Sequence, residues 1–247
     1  MLLLLLAACK PAEAPGPPPP SPITTATAPT TATAAPPTAT QATATPTSAP
    51  PVQGRKLQPV DEAGQDPSFA AYRAGLLDAV HRRDREALLR AIDPKIRTNF
   101  GGGGGGTQFA KQWKLDDPGS RLWPELETIL THGGAFSKDE GPRSFWAPYV
   151  YSSIPDTVDA FESLIVLGEA VPLHESPARD AKVLATLAHD ILTRVAGRET
   201  EGWAHVKTDD GRTGWVEAAQ VRSPIGYRAG FAKTGGAWKM NALVASD

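Results

Sequence analysis

The feature that most constrains this chain is a long tract, residues 14–54, that contains no charged side chain. It consists of proline, alanine and threonine with a few serine, glutamine, glycine, valine and isoleucine residues. Such a segment cannot bury enough apolar surface to offset the entropy of ordering the chain, so we expect it to remain disordered. Its prolines favour extended polyproline II, which makes the tract a semi-rigid spacer. A ligand for a proline-binding module is the alternative interpretation. A folded domain is therefore expected only from about Leu57 onward.

The residues before this tract are typical of an export signal. Met1 to Ala8 are almost wholly apolar and end in small residues, directly before Cys9. The segment Leu6-Ala7-Ala8-Cys9 resembles the lipobox of bacterial lipoproteins. The resemblance implies cleavage before Cys9, acylation of its sulfur by fatty acids such as palmitate, and anchoring in a membrane, because two or three acyl chains hold a protein stably. A hydrophobic N-terminus with an unmodified cysteine is the alternative.

Lys10 follows the cysteine, which resembles the default outer-membrane class of Gram-negative lipoproteins. The resemblance implies a lipid-anchored protein of the cell envelope, held at the outer membrane and facing the periplasm. We therefore expect residues 1–8 to be a signal peptide, and residues 9–56 to be the lipidated cysteine with its disordered tether.

Composition excludes several classes of protein. Lys and Arg number 25 against 27 Asp and Glu, a formal net charge of −2, so the broad basic surface of a nucleic-acid-binding protein is missing. A single cysteine excludes an internal disulfide framework and a thiolate metal cluster. No apolar run reaches the roughly 20 residues of a membrane-spanning helix.

The first folded segment is expected to be mainly helical. Asp66-Pro67 and Asp84 predict helix N-termini, because a short polar side chain caps the first turn and proline is favoured at the first helical position. Apolar residues then recur at helical spacing. The apolar faces predict a helix with Phe69, Tyr72, Leu76, Leu77 and Val80, a second with Leu88, Leu89 and Ile92 that Asp93-Pro94 ends, and a third, after Ser120, with Leu122, Leu126, Ile129 and Leu130. A short strand is expected from Ile96 to Phe100.

Six consecutive glycines, Gly101 to Gly106, lie between the second and third of these helices. A phosphate-binding P-loop has lysine before its Ser or Thr, whereas this chain has Gly106 before Thr107. A flexible turn leading to a helix with Phe109 and Trp113 is therefore the preferred interpretation.

After Leu164 the pattern changes to short strands separated by tight turns. Asp210-Gly211 is typical of a hairpin turn, and strands this short favour a small closed barrel, which protects their edges. The predicted strands are 164–167, 183–187, 191–195, 203–207 and 213–216.

Residues 171–221 resemble a bacterial SH3 domain. The first strand of that family usually reads V-N-V-R, whereas here it reads Val171-Pro172-Leu173-His174, and Asp190 replaces a glycine of the distal turn. The resemblance implies a cell-envelope protein that binds peptidoglycan peptides or another protein. It rests on Ser176-Pro177, Val183-Leu184-Ala185-Thr186-Leu187, Gly202-Trp203-Ala204-His205-Val206, Asp210-Gly211-Arg212-Thr213-Gly214-Trp215-Val216 and Val221.

The last predicted element is a hairpin formed by residues 227–233 and 237–244, with a turn at Thr234-Gly235-Gly236. An isolated hairpin is marginal in water, so we expect it to pack on the helices that precede Gly134. The predicted class is then α+β: an α+β domain of residues 57–163 and 223–247, interrupted by an SH3-like barrel of residues 164–222. This organisation resembles that of SH3-containing bacterial envelope proteins of unassigned role.

The sequence contains no recognisable catalytic arrangement. Its five histidines form no His-Glu-x-x-His pair, and the serines lack a G-x-S-x-G elbow. The cysteine peptidases that carry bacterial SH3 modules need a thiolate beside a histidine, and the only cysteine here is Cys9. We therefore expect no enzymatic activity, no metal and no cofactor, with an uncharacterised envelope hydrolase as the alternative.

A binding role is the favoured hypothesis, with peptidoglycan or an envelope protein as the partner and the membrane contacted through the lipid anchor. The residues predicted to line a shallow groove are Trp203, His205, Asp209, Trp215 and His174. Filling of the barrel core by at least one of the two tryptophans is the structural alternative. A structural or assembly role, in which the helical domain makes the contact, is the other functional hypothesis.

Overall fold

The computed structural model describes residues 52–101, 104–138, 141, 143–197 and 200–245. The predicted signal peptide, the lipidated Cys9 and the tether up to residue 51 lie outside these residues. In the described ranges, no helix combines the length and the apolar character needed to cross a bilayer. The helices are α1 (Pro67–His81), α2 (Arg85–Ala91), α3 (Gly106–Gln112), α4 (Leu122–Thr131) and α5 (Tyr149–Ser152); the strands are β1 (Ile92–Arg97), β2 (Ala135–Phe136), β3 (Ser144–Ala147), β4 (Ser163–Val166), β5 (Val171–His174), β6 (Val183–Leu187), β7 (Ile191–Arg194), β8 (Trp203–Lys207), β9 (Thr213–Glu217), β10 (Val221–Arg222), β11 (Arg228–Thr234) and β12 (Ala237–Val244).

The first two helices begin where the capping residues predict. The Asp66 carboxylate accepts hydrogen bonds from the backbone N–H groups of Ser68 (2.9 Å) and Phe69 (3.1 Å). Asp84 accepts from the N–H of Ala87 (2.9 Å). These bonds satisfy donors that have no partner within the helix, which is why both helices start directly after an aspartate.

The sequence-based prediction around Ile92 is wrong. Ile92 was expected on the inner face of α2 and the following strand from Ile96 onward, but α2 ends at Ala91 and β1 already starts at Ile92. Pro94, inside this strand, is accommodated because β1 is an edge strand, where one missing N–H donor is tolerated. Asp93 accepts a hydrogen bond from the Thr234 hydroxyl (2.7 Å), which connects β1 to the end of β11.

The first sheet has the strand order β1-β12-β11-β3-β2. β1 runs parallel to β12, and the other neighbours are antiparallel. Phe69 of α1 contacts four aromatic rings of this sheet. The centroid distances are 4.3 Å to Phe145, 4.9 Å to Trp238, 5.5 Å to Phe231 and 5.8 Å to Phe136. The indole N–H of Trp238 donates to the Ser68 hydroxyl (3.0 Å). The apolar side chains of α1, α4 and the β11–β12 hairpin therefore share one core.

The glycine run serves a close approach of the chain to β1. Gly104 and Gly105 have positive φ angles of 154° and 91°, and the N–H of Gly105 donates to the carbonyl of Ile96 (2.8 Å). A Cβ atom on Gly104 would lie 2.2 Å from that same carbonyl oxygen. Only glycine fits this position without displacing the strand.

The second sheet is antiparallel, with the strand order β10-β4-β7-β8-β9-β5-β6. The five predicted strands of this region are confirmed to within one residue at each end. Their inward side chains form a second core, which includes Leu164, Leu173, Leu187, Val206 and Val216.

Residues 52–57, which we call the strap, pack against this second sheet. Val52 is 3% exposed and belongs to the second core. The N–H of Leu57 donates to the carbonyl of His189 (2.8 Å), and the carbonyl of Arg55 accepts from the N–H of Ile191 (2.9 Å). Residues 52–56, which the predicted tether included, therefore pack on the sheet, because Val52 is apolar and Arg55 and Lys56 form ion pairs with Asp209 and Asp190.

A third apolar cluster connects the two sheets. Tyr149 and Val150 of α5 pack with Ile165 of β4, Ile191 of β7 and Leu57 of the strap. Each of these side chains is less than 10% exposed. The second sheet is thus fixed to the first part of the fold through an apolar contact.

Candidate functional site

The pairing of β8 with β9 brings the predicted aromatic residues together. Their antiparallel register places His205 opposite Trp215 and Trp203 opposite Glu217. Alternate residues of a strand share one face, so Trp203, His205, Trp215 and Glu217 lie on the same face, and the inward Val206 lies on the other. Trp203, His205 and Trp215 are partly exposed.

β5 adds His174 to this surface. His174 lies opposite Trp215 in the register of β5 and β9. The close approach of these strands depends on Gly214, because a Cβ atom there would lie 2.6 Å from the carbonyl oxygen of His174. The glycine before Trp215 therefore has a steric reason in this fold.

The four rings of His174, Trp203, His205 and Trp215 form what we call the aromatic cluster. The His205 and Trp215 rings are stacked, with a centroid distance of 4.4 Å and an interplanar angle of 13°. The His174 and Trp203 rings meet edge to face at 5.4 Å and 88°. Both are favourable arrangements for aromatic rings, so the two pairs restrict the rotamers of the exposed tryptophans.

His174 is the buried member of the cluster, with 4% exposure. Its Nδ1 lies 3.1 Å from the carbonyl oxygen of Ala181. Because a carbonyl can only accept, Nδ1 carries a proton in this contact. The buried His174 ring thus packs against Trp203, and the other three rings form the exposed part of the cluster.

An ion pair that the sequence did not reveal borders the cluster. Arg179, in the loop between β5 and β6, donates from Nε (2.6 Å) and Nη2 (3.3 Å) to the two carboxylate oxygens of Glu217. Glu217 lies beside Trp203 across the β8–β9 ladder. The alternation Thr213, Trp215, Glu217 along β9 could have identified Glu217, but no local pattern indicates Arg179.

Asp209, in the turn between β8 and β9, binds the strap. Both of its carboxylate oxygens accept hydrogen bonds from Arg55 of the strap, from the backbone N–H (2.8 Å), Nε (3.0 Å) and Nη2 (2.9 Å). The hydrogen bond from the Arg55 side chain is the main cause that holds the pKa of Asp209 below its ordinary value of 3.8. The Asp209 carboxylate thus binds the strap, and its role in the predicted groove stays a prediction.

The cluster offers aromatic faces and hydrogen-bonding nitrogens. Among the described residues, no group of three or more His, Cys, Asp or Glu side chains is placed to hold a metal ion. Cys9, the predicted site of lipidation, lies outside those residues. The arrangement is suited to noncovalent contact with a flat or apolar ligand group.

Comparison with known proteins identifies the domain that carries this cluster. Residues 168–223 match the family described as bacterial SH3 domain, so this part of the chain is a bacterial SH3 domain. No curated protein matches the chain. A solved chain designated Rd1NTF2_05, a variant with five substitutions, aligns with 73% of this chain and 100% of its own length at 13% identity. The TM-score of this alignment is 0.25, which indicates no common fold.

Proposed function

We propose that this protein is a membrane-tethered, non-catalytic binding module of the bacterial cell envelope, which recognises peptidoglycan or an envelope protein through its SH3 domain. Bacterial SH3 domains commonly bind peptidoglycan or proteins. The observation that carries the proposal is the aromatic cluster, in which Trp203, His205 and Trp215 are partly exposed on one face of the domain.

The physical basis of recognition is the combination of apolar ring faces with polar atoms at their edges. Tryptophan supplies a large contact area and loses little side-chain entropy, because its rotamer is already restricted. The Arg179–Glu217 ion pair beside Trp203 provides charged groups at the border of the same surface. Such a surface suits a peptide, or a sugar ring that packs its C–H groups on an indole.

The proposed location rests on the N-terminal sequence. Acylation of Cys9 would hold the protein at the membrane, and the Pro/Thr/Ala tract would let the folded part reach other layers of the envelope. Labelling of cells with palmitate tests this part of the proposal. We expect label in the native chain and none in Cys9→Ala, whereas an unlabelled native chain would refute the anchor.

We also propose that the SH3 barrel is closed and inserted into an α+β domain of residues 57–163 and 223–247. Strand pairing supports the insertion, because β3, which precedes the SH3 domain, pairs with β11, which follows it. The contacts of Phe69 with Phe231 and Trp238 support packing of the C-terminal hairpin on the helical part.

Retention of the purified chain on isolated peptidoglycan tests the binding proposal. We expect peptidoglycan to retain the native chain at moderate salt. The double variant Trp203→Ala/Trp215→Ala should not be retained, because both indole faces are removed. Phe161→Ala is the matched control, since Phe161 is an exposed aromatic residue (63%) outside the cluster. Circular dichroism of each variant checks that it is folded.

Two outcomes would redirect the proposal. No retention of the folded native chain would exclude peptidoglycan and leave an envelope protein as the partner. Equal retention of the native chain and the double variant would exclude the aromatic cluster as the contact surface.

The second candidate function is a structural or assembly role of the helical part. It is favoured by one side of α1, where Ala71, Ala74 and Gly75 are exposed. Apart from its chain neighbours and the backbone of its own helix, no described atom lies within 4 Å of a Cβ built on Gly75. Small residues allow close approach of another element. Loss of a copurifying partner in Gly75→Leu, together with unchanged retention on peptidoglycan, would favour this role. Turnover in a panel of envelope hydrolase substrates would refute the non-catalytic proposal.

A further inference from the structure

A cleft lies beside Trp203, at the loop that joins β7 to β8. Its volume of about 690 Å³ is within the range of small-molecule sites. Leu164 and Val221, both buried, form its apolar part. The exposed residues Arg194 and Glu201 also line it. Among the described residues, the cleft therefore combines buried apolar side chains with the opposite charges of Arg194 and Glu201.

These two charges have no ion-pair partner within the ranges that the structure describes, and they do not pair with each other. Elsewhere in the same domain, Arg179 pairs with Glu217 (2.6 Å) and Arg212 with Asp210 (3.3 Å). Arg194 is placed by β7, whose N–H at this residue donates to the carbonyl of Glu162 (2.7 Å). The guanidinium of Arg194 and the carboxylate of Glu201 are thus both available to a ligand.

Ser223 adds a polar group to the same cleft. Its hydroxyl oxygen is buried and has no hydrogen-bond partner among the described residues. Buried hydroxyl groups normally have a partner, because an unsatisfied one loses its bonds to water without replacement. Trp203, which lines the cleft as well, is partly exposed and can pack against aliphatic atoms.

We propose that this cleft binds a short peptide that carries both a free N-terminal ammonium and a free C-terminal carboxylate. Glu201 contacts the ammonium, Arg194 contacts the carboxylate, and Trp203 packs on the aliphatic carbons between them. A neutral glycan would use neither charge, and a ligand of single charge would use only one. The inference rests on the proposed function and deepens it, because it selects free peptide ends over sugar as the recognised part of the envelope.

The test measures binding of tetraalanine, which has both free ends, by chemical shifts of the Trp203 indole in the full chain. N-acetyl tetraalanine lacks the ammonium, and tetraalanine amide lacks the carboxylate. Because each contact is between exposed charges, we expect each blocked peptide to bind about three- to fivefold more weakly. Arg194→Gln removes the difference between tetraalanine and its amide, and Glu201→Gln removes the difference between tetraalanine and its acetylated form.

Arg90→Gln and Glu86→Gln are the matched controls, because these residues form an exposed pair on α2 (70% and 83% exposed side chains). Both controls should keep the full discrimination among the three peptides. Equal binding of the three peptides to the native chain, or no binding of tetraalanine, would overturn the inference.

Retention on peptidoglycan, measured in parallel, shows whether only the cleft inference fails or the proposed function fails as well. Retention that is lost in Trp203→Ala/Trp215→Ala, without binding of tetraalanine, overturns the cleft assignment alone. Discrimination among the three peptides without retention supports the cleft and leaves a protein as the partner.

Discussion

Tyr72 and Tyr149 differ in whether their hydroxyl groups form hydrogen bonds. The hydroxyl of Tyr72 donates to the carbonyl of Ala91 (3.0 Å), which fixes α1 to the end of α2. The hydroxyl of Tyr149 is buried and has no hydrogen-bond partner among the described residues. Burial raises the pKa of Tyr149 to about 12 and also raises that of Tyr72. Removal of the hydroxyl oxygen should therefore change the free energy of unfolding differently at the two positions.

We expect Tyr149→Phe to leave the free energy of unfolding unchanged within about 0.5 kcal/mol, or to increase it, because an unpaired buried hydroxyl contributes no net stability. Tyr72→Phe should lower it by about 1 kcal/mol, because Ala91 loses its donor. Urea denaturation followed by circular dichroism measures both. A larger loss in Tyr149→Phe than in Tyr72→Phe would contradict the assignment.

At the scale of elements, the strap is held on the second sheet by two ion pairs. Arg55 pairs with Asp209 (2.9 Å), and Lys56 pairs with Asp190 (2.9 Å). Asp190 is 1% exposed and also accepts from the N–H of Ala188 (2.6 Å). The resemblance to bacterial SH3 domains led us to expect glycine at this position, but Asp190 stabilises the turn through Ala188 and binds the strap through Lys56.

The strap should loosen in acid. Because the pKa of Asp209 is lower with Arg55 bound than its ordinary 3.8, the ionised pair stabilises the strap at neutral pH. This stabilisation is lost as the pH falls below 3.8 through the lowered pKa. We expect the hydrogen-exchange protection of the Leu57 amide to fall below about pH 4 in the native chain.

Asp209→Asn removes this ion pair at every pH. In this variant, the hydrogen-exchange protection of the Leu57 amide should be about fivefold lower at neutral pH than in the native chain. Its decrease below about pH 4 should also be smaller than the decrease in the native chain. Asp180→Asn, at an exposed aspartate of the β5–β6 loop, is the control and should behave as the native chain does. Protection that is the same in Asp209→Asn and the native chain would show that Arg55 does not hold the strap.

At the scale of the whole molecule, Arg222 and Glu125 form a polar contact between the SH3 domain and the helical part. Arg222 of β10 donates to Glu125 of α4 (2.6 Å), and its side chain is 12% exposed. The same guanidinium group donates to the carbonyl of Tyr227. Together with the apolar cluster of Tyr149, Ile165 and Ile191, this contact opposes independent movement of the two parts.

A double-mutant cycle of Arg222→Ala and Glu125→Ala should give a coupling energy of about 1 kcal/mol, because the pair is largely shielded from water. The same cycle on Arg90 and Glu86, an exposed pair within one helix, should give about 0.3 kcal/mol. Urea denaturation of the native chain and the six variants measures both cycles. Equal coupling energies would mean that Arg222 and Glu125 do not join the two parts of the molecule.

The accuracy of the sequence-based predictions depended on the range of the interactions involved. The Asp66 cap could be predicted because its partners are two and three residues away. Trp203 and His205 were predicted in one strand two positions apart, and they lie on one face of β8. Ile92 could not be placed, because its strand is defined by parallel pairing with Met240 of β12. The spacing of apolar residues around Ile92 does not predict its pairing with β12.

By itself, the sequence determined the charge-free tract, the helix starts, the strands of the second sheet and the SH3 resemblance, because caps, turns and alternation depend on residues only a few positions apart. Only the tertiary structure decided that Asp209 serves the strap, since its partner Arg55 lies 154 residues away in the chain. It also brought His174 against Trp203, and Arg194 and Glu201 to the same cleft. Contacts between distant segments depend on how whole strands pair and pack, and no local pattern records that arrangement.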